Sequence, residues 1–161
     1  AKFSFVIAGD WDCLEGQSTG HSQTAYSEGG ANKKIVWNFP FELQYRSTNP
    51  SGWPQLVVTC RGPDFFGYDV PYCYGSVHVP STPGRHIRYI RMYKPVESSL
   101  MQRMMGWWKS EPAEFKEGAK NIAFADGREV VRVRSGGIVK IVFQVTQRNM
   151  EKAGFTVSKS Q

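Results

Sequence analysis

Large apolar side chains fall on every second position from Ile35 through Trp37, Phe39, Phe41 and Leu43 to Tyr45. Val36, Asn38, Glu42, Gln44 and Arg46 lie between them. A period of two predicts one β-strand over residues 34–46 with all six large side chains on a single face. Pro40 inside the run predicts an edge strand or a bulge, because proline cannot donate to a ladder. One strand cannot bury six such side chains by itself, so the pattern demands a second sheet across from it. The turn string Ser47-Thr48-Asn49-Pro50-Ser51-Gly52-Trp53-Pro54 closes the run.

Shorter strand-like segments recur between turn signals, at residues 3–8, 55–61 and 70–79, the last interrupted by Pro71 and Gly75. Residues 86–93 alternate poorly, which predicts a bulge or a partly exposed strand. Residues 12–32 are polar and aperiodic and are expected as one long loop. Residues 129–134 and 137–146 are expected as a closing hairpin joined across Ser135-Gly136-Gly137, with Val139, Ile141, Phe143 and Val145 inward and Lys140 and Gln144 outward. From Ser98 the spacing becomes helical, placing Leu100, Met101, Met104, Met105, Trp107 and Trp108 on one face. A short helix opened by Pro112 and a brief one over residues 147–153, stopped at Gly154, complete the expected elements. No internal repeat is present. The pattern predicts an all-β chain: an antiparallel β-sandwich with one or two short helices in connections and near the C-terminus, a closed barrel being the alternative.

At 161 residues the chain fits one domain, expected over residues 1–154 with a polar tail at 155–161. A chain of this size buries roughly 70% of its unfolded surface and needs neither metal nor disulfide to hold a core. No apolar run approaches the roughly 18 residues of a membrane-spanning helix. No signal-peptide pattern precedes Phe3-Ser4-Phe5-Val6-Ile7, and a first residue other than methionine implies a start cut from a longer chain. Cys13, Cys60 and Cys73 form neither a disulfide framework nor a zinc pattern and are expected as small buried or half-buried residues in a reducing compartment. Charge is lopsided. Residues 1–80 carry five Lys/Arg against seven Asp/Glu, whereas residues 81–161 carry fifteen against seven, giving the overall +6. That asymmetry favours an anionic partner such as phospholipid, nucleic acid or an acidic protein.

Catalytic patterns are weak. Gly16-Gln17-Ser18-Thr19-Gly20 matches a nucleophile elbow in letters only, since it lies in a polar stretch with no helix to follow. His21, His78 and His86 lack metal spacing, and no phosphate-cradling glycine loop is present. The chain is therefore expected not to be an enzyme and to use no cofactor. Calcium needs six to eight oxygens from clustered carboxylates. Asp64, Asp69 and Asp126 are scattered, and Asp10 and Asp12 lie in another connection, so calcium is not expected.

Basic residues carry more. Arg85, Arg88, Arg91 and Lys94 lie along one strand beside His86, and Arg132, Arg134 and Lys140 fall in the closing pair. If those strands are neighbours, these residues form a contact surface for lipid or another anionic partner, against the plain reading of a solvated basic face. Met101, Met104, Met105, Trp107 and Trp108 either cover one end of the sandwich or form a protein interface or lipid wedge. Nucleic-acid binding is not expected, because the aromatics alternate as core residues rather than as stacking platforms.

Several rigid words carry a family resemblance: Val36-Trp37-Asn38-Phe39-Pro40, the turn string through Gln55, Gly62-Pro63-Asp64-x-Phe66-Gly67-x-Asp69, Tyr74-Gly75-x-Val77-His78-Val79-Pro80, Pro83-Gly84-Arg85-His86, and Gly127-Arg128-Glu129-Val130-x-Arg132-Val133-Arg134-Ser135. In this set and order they resemble the B9 domain family over about residues 1–154. The resemblance implies a C2-like sandwich. It implies a scaffold role, without catalysis, at the cytoplasmic side of the ciliary transition zone and basal body. The implied partners are the sister proteins B9 domain-containing protein 2 and the Meckel syndrome type 1 protein, with tectonic and transmembrane Meckel-type proteins, in a gate that supports ciliogenesis and the membrane-protein diffusion barrier. A stand-alone, calcium-independent module for anionic phospholipid is the alternative. Family members carry a further strand-like segment before the position of Ala1. Its absence here would leave a sheet edge unpaired.

Overall fold

The computed structural model describes residues 1–27, 29, 33–49, 51–95 and 133–149. Among these residues all regular structure is strand: β1 (Lys2–Val6), β2 (Asp12–Gly16), β3 (Thr19–His21), β4 (Leu43–Arg46), β5 (Gln55–Pro63), β6 (Asp69–His78), β7 (Gly84–Pro95) and β8 (Val133–Val145). Six form one antiparallel sheet in the order β3-β1-β5-β6-β7-β8, and β2 and β4 pair as a second, smaller layer. Among the described residues the fold is an all-β antiparallel sandwich of C2-like type.

Alternation explains the core. Phe3 and Phe5 of β1, Leu56 and Val58 of β5, Cys73 of β6, Ile90 and Met92 of β7 and Phe143 of β8 are buried in one cluster. Phe39, Phe41, Leu43 and Tyr45 close it from the opposite layer. Aromatic rings make the seam: Phe41 stacks on Phe3 at 5.6 Å between centroids and meets Phe5 edge-on at 5.4 Å. Each fully buried side chain of this kind contributes roughly 1.5–3 kcal/mol. The core positions Val139, Ile141, Phe143 and Val145 all point inward, as their alternation predicts.

The long ribbon is shorter than its pattern. Only Leu43–Arg46 pairs as strand. Asn38 adopts a left-handed φ of 47°, which turns the backbone out of an extended run before Phe39. Phe39 through Tyr45 keep the predicted face, whereas Ile35 is exposed. The expected loop over residues 12–32 instead holds β2 and β3. All five residues of β2 are exposed, so backbone pairing with β4 defines it and no side-chain period announces it.

Two further expectations are corrected. Residues 133–145 form one strand, not the end of a hairpin, and Ser135-Gly136-Gly137 forms a bulge opposite Met92 and Tyr93. Bulges and tight turns both recruit glycine, so the letters did not separate them. Gln147–Asn149 are not helical. The rest of that segment, and the helices expected at residues 98–108 and after Pro112, lie outside the described residues. β1 is flanked on both sides, by β3 and β5, and the strands at the ends of the order are β3 and β8.

Candidate functional site

The β7–β8 ladder sets eight side chains in four directly opposed pairs on the face away from the core: Arg85–Gln144, Ile87–Val142, Tyr89–Lys140 and Arg91–Ile138. The pairs that alternate with them place Ile90 opposite Val139 and His86 opposite Phe143, on the core side. All eight outer residues are exposed, with Tyr89 at 64% and Ile138 at 68%. The apolar half of the patch is Ile87, Tyr89, Ile138 and Val142. The cationic half is Arg85, Arg91 and Lys140, none with a carboxylate partner among the described residues. No acid occupies any of the eight positions. Arg85 and Arg91 stand six residues apart, roughly 20 Å along the strand. The same outer face is buried over the inner strands at Ser4, Val57, Thr59 and Tyr74, so the exposed apolar side chains of this face gather on β7 and β8.

This arrangement divides the sequence-predicted basic residues. Arg85, Arg91 and Lys140 come together. Arg88 lies on the other face, opposite Ile141, although it is exposed. Lys94 and Arg134 oppose one another past the bulge, with the Lys94 ammonium 5.5 Å from the centroid of Tyr72. Arg132 and the stripe Met101, Met104, Met105, Trp107 and Trp108 lie outside the described residues. Sequence reasoning missed the apolar members Ile87, Tyr89, Ile138 and Val142. Their signal was present in residues 86–93, where apolar side chains occupy both parities: one set builds the core and the other lies on the outer face.

Other chemistry-bearing residues are engaged locally. Asp64 Oδ1 accepts the backbone N–H groups of Phe66 and Tyr68, and Asp69 holds Arg61 in a 2.7 Å ion pair. Among the described residues no group of three His, Cys, Asp or Glu side chains is arranged to hold a metal ion. Cys60 and Cys73 are directly opposed in the β5–β6 ladder. The Cys60 thiol donates to the Cys73 sulfur, which lowers the Cys73 pKa, with Lys94 adding to that shift against the desolvation of its buried site. The same bond and burial push the Cys60 thiol up.

The fold places the chain among C2-like β-sandwich domains. More narrowly, residues 1–146 match the family model described as "Ciliary basal body-associated, B9 protein", and the chain belongs to this B9 family. It is 45% identical over 159 residues to B9 domain-containing protein 1 of Xenopus laevis, spanning 99% of this chain and 80% of that protein. It is 42% identical over 159 residues to the Homo sapiens protein of the same name, spanning 99% and 78%. B9 domain-containing protein 2 of Danio rerio is 32% identical over 97 residues, 60% of this chain and 54% of that one. These relatives are named as domain proteins and not as enzymes. No solved structure matches the chain significantly.

Proposed function

We propose that this B9-family ciliary protein is a non-enzymatic scaffold subunit of the transition-zone (tectonic/Meckel-type) complex, supporting ciliogenesis and the membrane-protein barrier. The observation that carries the reading is the bare β7–β8 face, where four apolar and three cationic side chains share one strand pair. A contiguous apolar patch rimmed by charge is the usual mark of an interaction surface. Sister B9 proteins, B9 domain-containing protein 2 and the Meckel syndrome type 1 protein, are the proposed occupants, with tectonic and transmembrane Meckel-type proteins in the same assembly.

The cations also favour a second reading, a calcium-independent module for anionic phospholipid. A Lys or Arg near an anionic leaflet gains about 1 kcal/mol. Three give roughly 3 kcal/mol, weaker than the ~4 kcal/mol of millimolar affinity. The face is thus a poor membrane anchor alone. It becomes effective when several B9 domains are tethered and act through effective concentration.

Gentle affinity purification of the tagged full chain from ciliated cells tests the scaffold reading. The wild type is expected to enrich both sister proteins, and Ile138→Asp with Val142→Asp to lose them while the domain stays folded. A wild-type protein that enriches neither refutes it. Salt-sensitive binding to phosphatidylserine vesicles without sister enrichment would favour the lipid module instead.

A further inference from the structure

The hairpin that joins β5 to β6 projects as a finger with an apolar tip. Thr59 is the last residue of β5 paired to β1, so Cys60–Pro63 continue beyond β1 with β6 as partner, about 13 Å further. At the tip Phe65 is 97% exposed, Phe66 80% and Tyr68 71%. The two phenylalanine rings sit edge to face, 5.5 Å apart at 87°. The backbone beneath them is held by its own groups. Asp64 Oδ1 accepts the N–H groups of Phe66 and Tyr68, the Gly67 N–H reaches the Asp64 carbonyl at 3.1 Å, and the Asp64 N–H reaches the Tyr68 carbonyl at 2.8 Å. Gly67 supplies the φ of 84° that the turn requires. Lower down, Tyr72 Oη donates to the Pro63 carbonyl at 2.6 Å, and Arg61 bonds Asp69. A knob built this way is ordered before it meets anything, so docking incurs little loop-ordering entropy.

We propose that this finger docks its Phe65–Phe66 knob on the β7–β8 face of a second copy of the chain. Two complementarities on one molecule support that occupant. The knob is apolar, and the face exposes Ile87, Tyr89, Ile138 and Val142. The finger carries Asp64 and Asp69 against Arg61, a net −1, whereas the face carries Arg85, Arg91 and Lys140 with no acid among its eight positions. Opposite charge steers and registers such a contact. The same net negative charge disfavours an anionic bilayer as the finger's target. Knob and face are different surfaces, so the contact is heterologous and leaves each end of a pair free to take another copy. The inference rests on the β7–β8 face being a docking face, which a second copy and a sister B9 protein occupy in turn and not together.

Sedimentation velocity of the full chain at low salt is the test. The wild type is expected to sediment faster as its concentration rises, and less so with added salt. Phe65→Ala with Phe66→Ala removes side chains that touch no core, so the fold persists while self-association weakens at least about tenfold. Arg85→Glu with Arg91→Glu is expected to do the same from the other side. A mixture of the two variants offers one intact knob and one intact face, and is expected to form pairs but nothing larger. A wild type that stays monomeric, or self-association that ignores the Phe65 and Phe66 substitutions, overturns the proposal. Binding of phosphatidylcholine vesicles through Phe65 and Phe66 by a monomeric chain overturns it in favour of lipid. A wild type that self-associates but enriches neither sister protein would count against the scaffold reading alone. The reverse would count against this contact alone.

Discussion

Gly75 leaves the space that Ile90 fills. A Cβ built on this glycine of β6 would stand 2.5 Å from Ile90 Cγ2 and 2.6 Å from Met92 Sδ. Ile90 and Met92 are both core residues, so neither can withdraw without disturbing the packing between the sheets. Gly75→Ala is therefore expected to overpack the core and cost about 1–3 kcal/mol. A lowered denaturant midpoint with an unchanged m-value would record it, and an unchanged midpoint would contradict the packing described.

Adjacent residues of β8 should respond in opposite ways. Phe143 is 5% exposed and lies in the core cluster, while Val142 faces outward. Phe143→Ala is expected to cost about 3–5 kcal/mol. Val142→Ala should stay within about 0.5 kcal/mol. Equal costs in urea unfolding would mean that the strand does not alternate as described.

Buried phenols give the domain an alkaline weakness. Burial raises the Tyr74 and Tyr45 pKa values above the ordinary 10.0. Below pH 10 both states keep these protons and stability is unaffected. Above pH 10 the unfolded chain releases them first, so stability falls as pH rises, by up to about 1.4 kcal/mol per pH unit for each proton. Tyr74→Phe should flatten the stability profile above pH 10. An equally steep profile in that variant would place the loss elsewhere.

Tyr45 carries a further expectation. Its hydroxyl is buried and has no hydrogen-bond partner among the described residues. Tyr45→Phe removes an unsatisfied polar group while keeping the ring that packs on Phe5 at 6.3 Å. Thermal unfolding at neutral pH should show a gain of about 1 kcal/mol. A loss of stability would reveal a partner for the hydroxyl.

The Cys73 thiol depends on its neighbour across the ladder. Cys60→Ala removes the side-chain donor that is the largest cause of the lowered Cys73 pKa, while desolvation, which acts the other way and ranks above the remaining contribution of Lys94, stays. In a Cys13→Ser background, where Cys73 is then the remaining cysteine, thiolate absorbance against pH should show its titration moving to higher pH. A fixed titration would mean that Cys60 is not the cause.

The parts of this fold legible in the sequence were those in which side chains carry the information. Val139 to Val145 alternate because one face of β8 packs and the other does not, and Phe39 to Tyr45 do the same across the seam. Hidden parts were fixed by the backbone. The pairing of Asp12–Gly16 with Leu43–Arg46 leaves no buried side chain on β2, and the Asn38 turn is a dihedral angle that its neighbours Trp37 and Phe39 do not betray. The site was legible by half. Its cations were plain in Arg85, Arg91 and Lys140, but only the ladder register separated them from Arg88 and added the four apolar members.

The bulge in β8 also bears on growth of the sheet itself. β8 ends the strand order, so among the described strands its outer hydrogen-bonding edge is open. An incoming strand could zip alongside Gly137–Val145, but the extra residue at Gly136 shifts the register there and would halt the zipper. Edge-to-edge pairing would thereby be interrupted near one end of the strand, at right angles to the exposed face of the ladder.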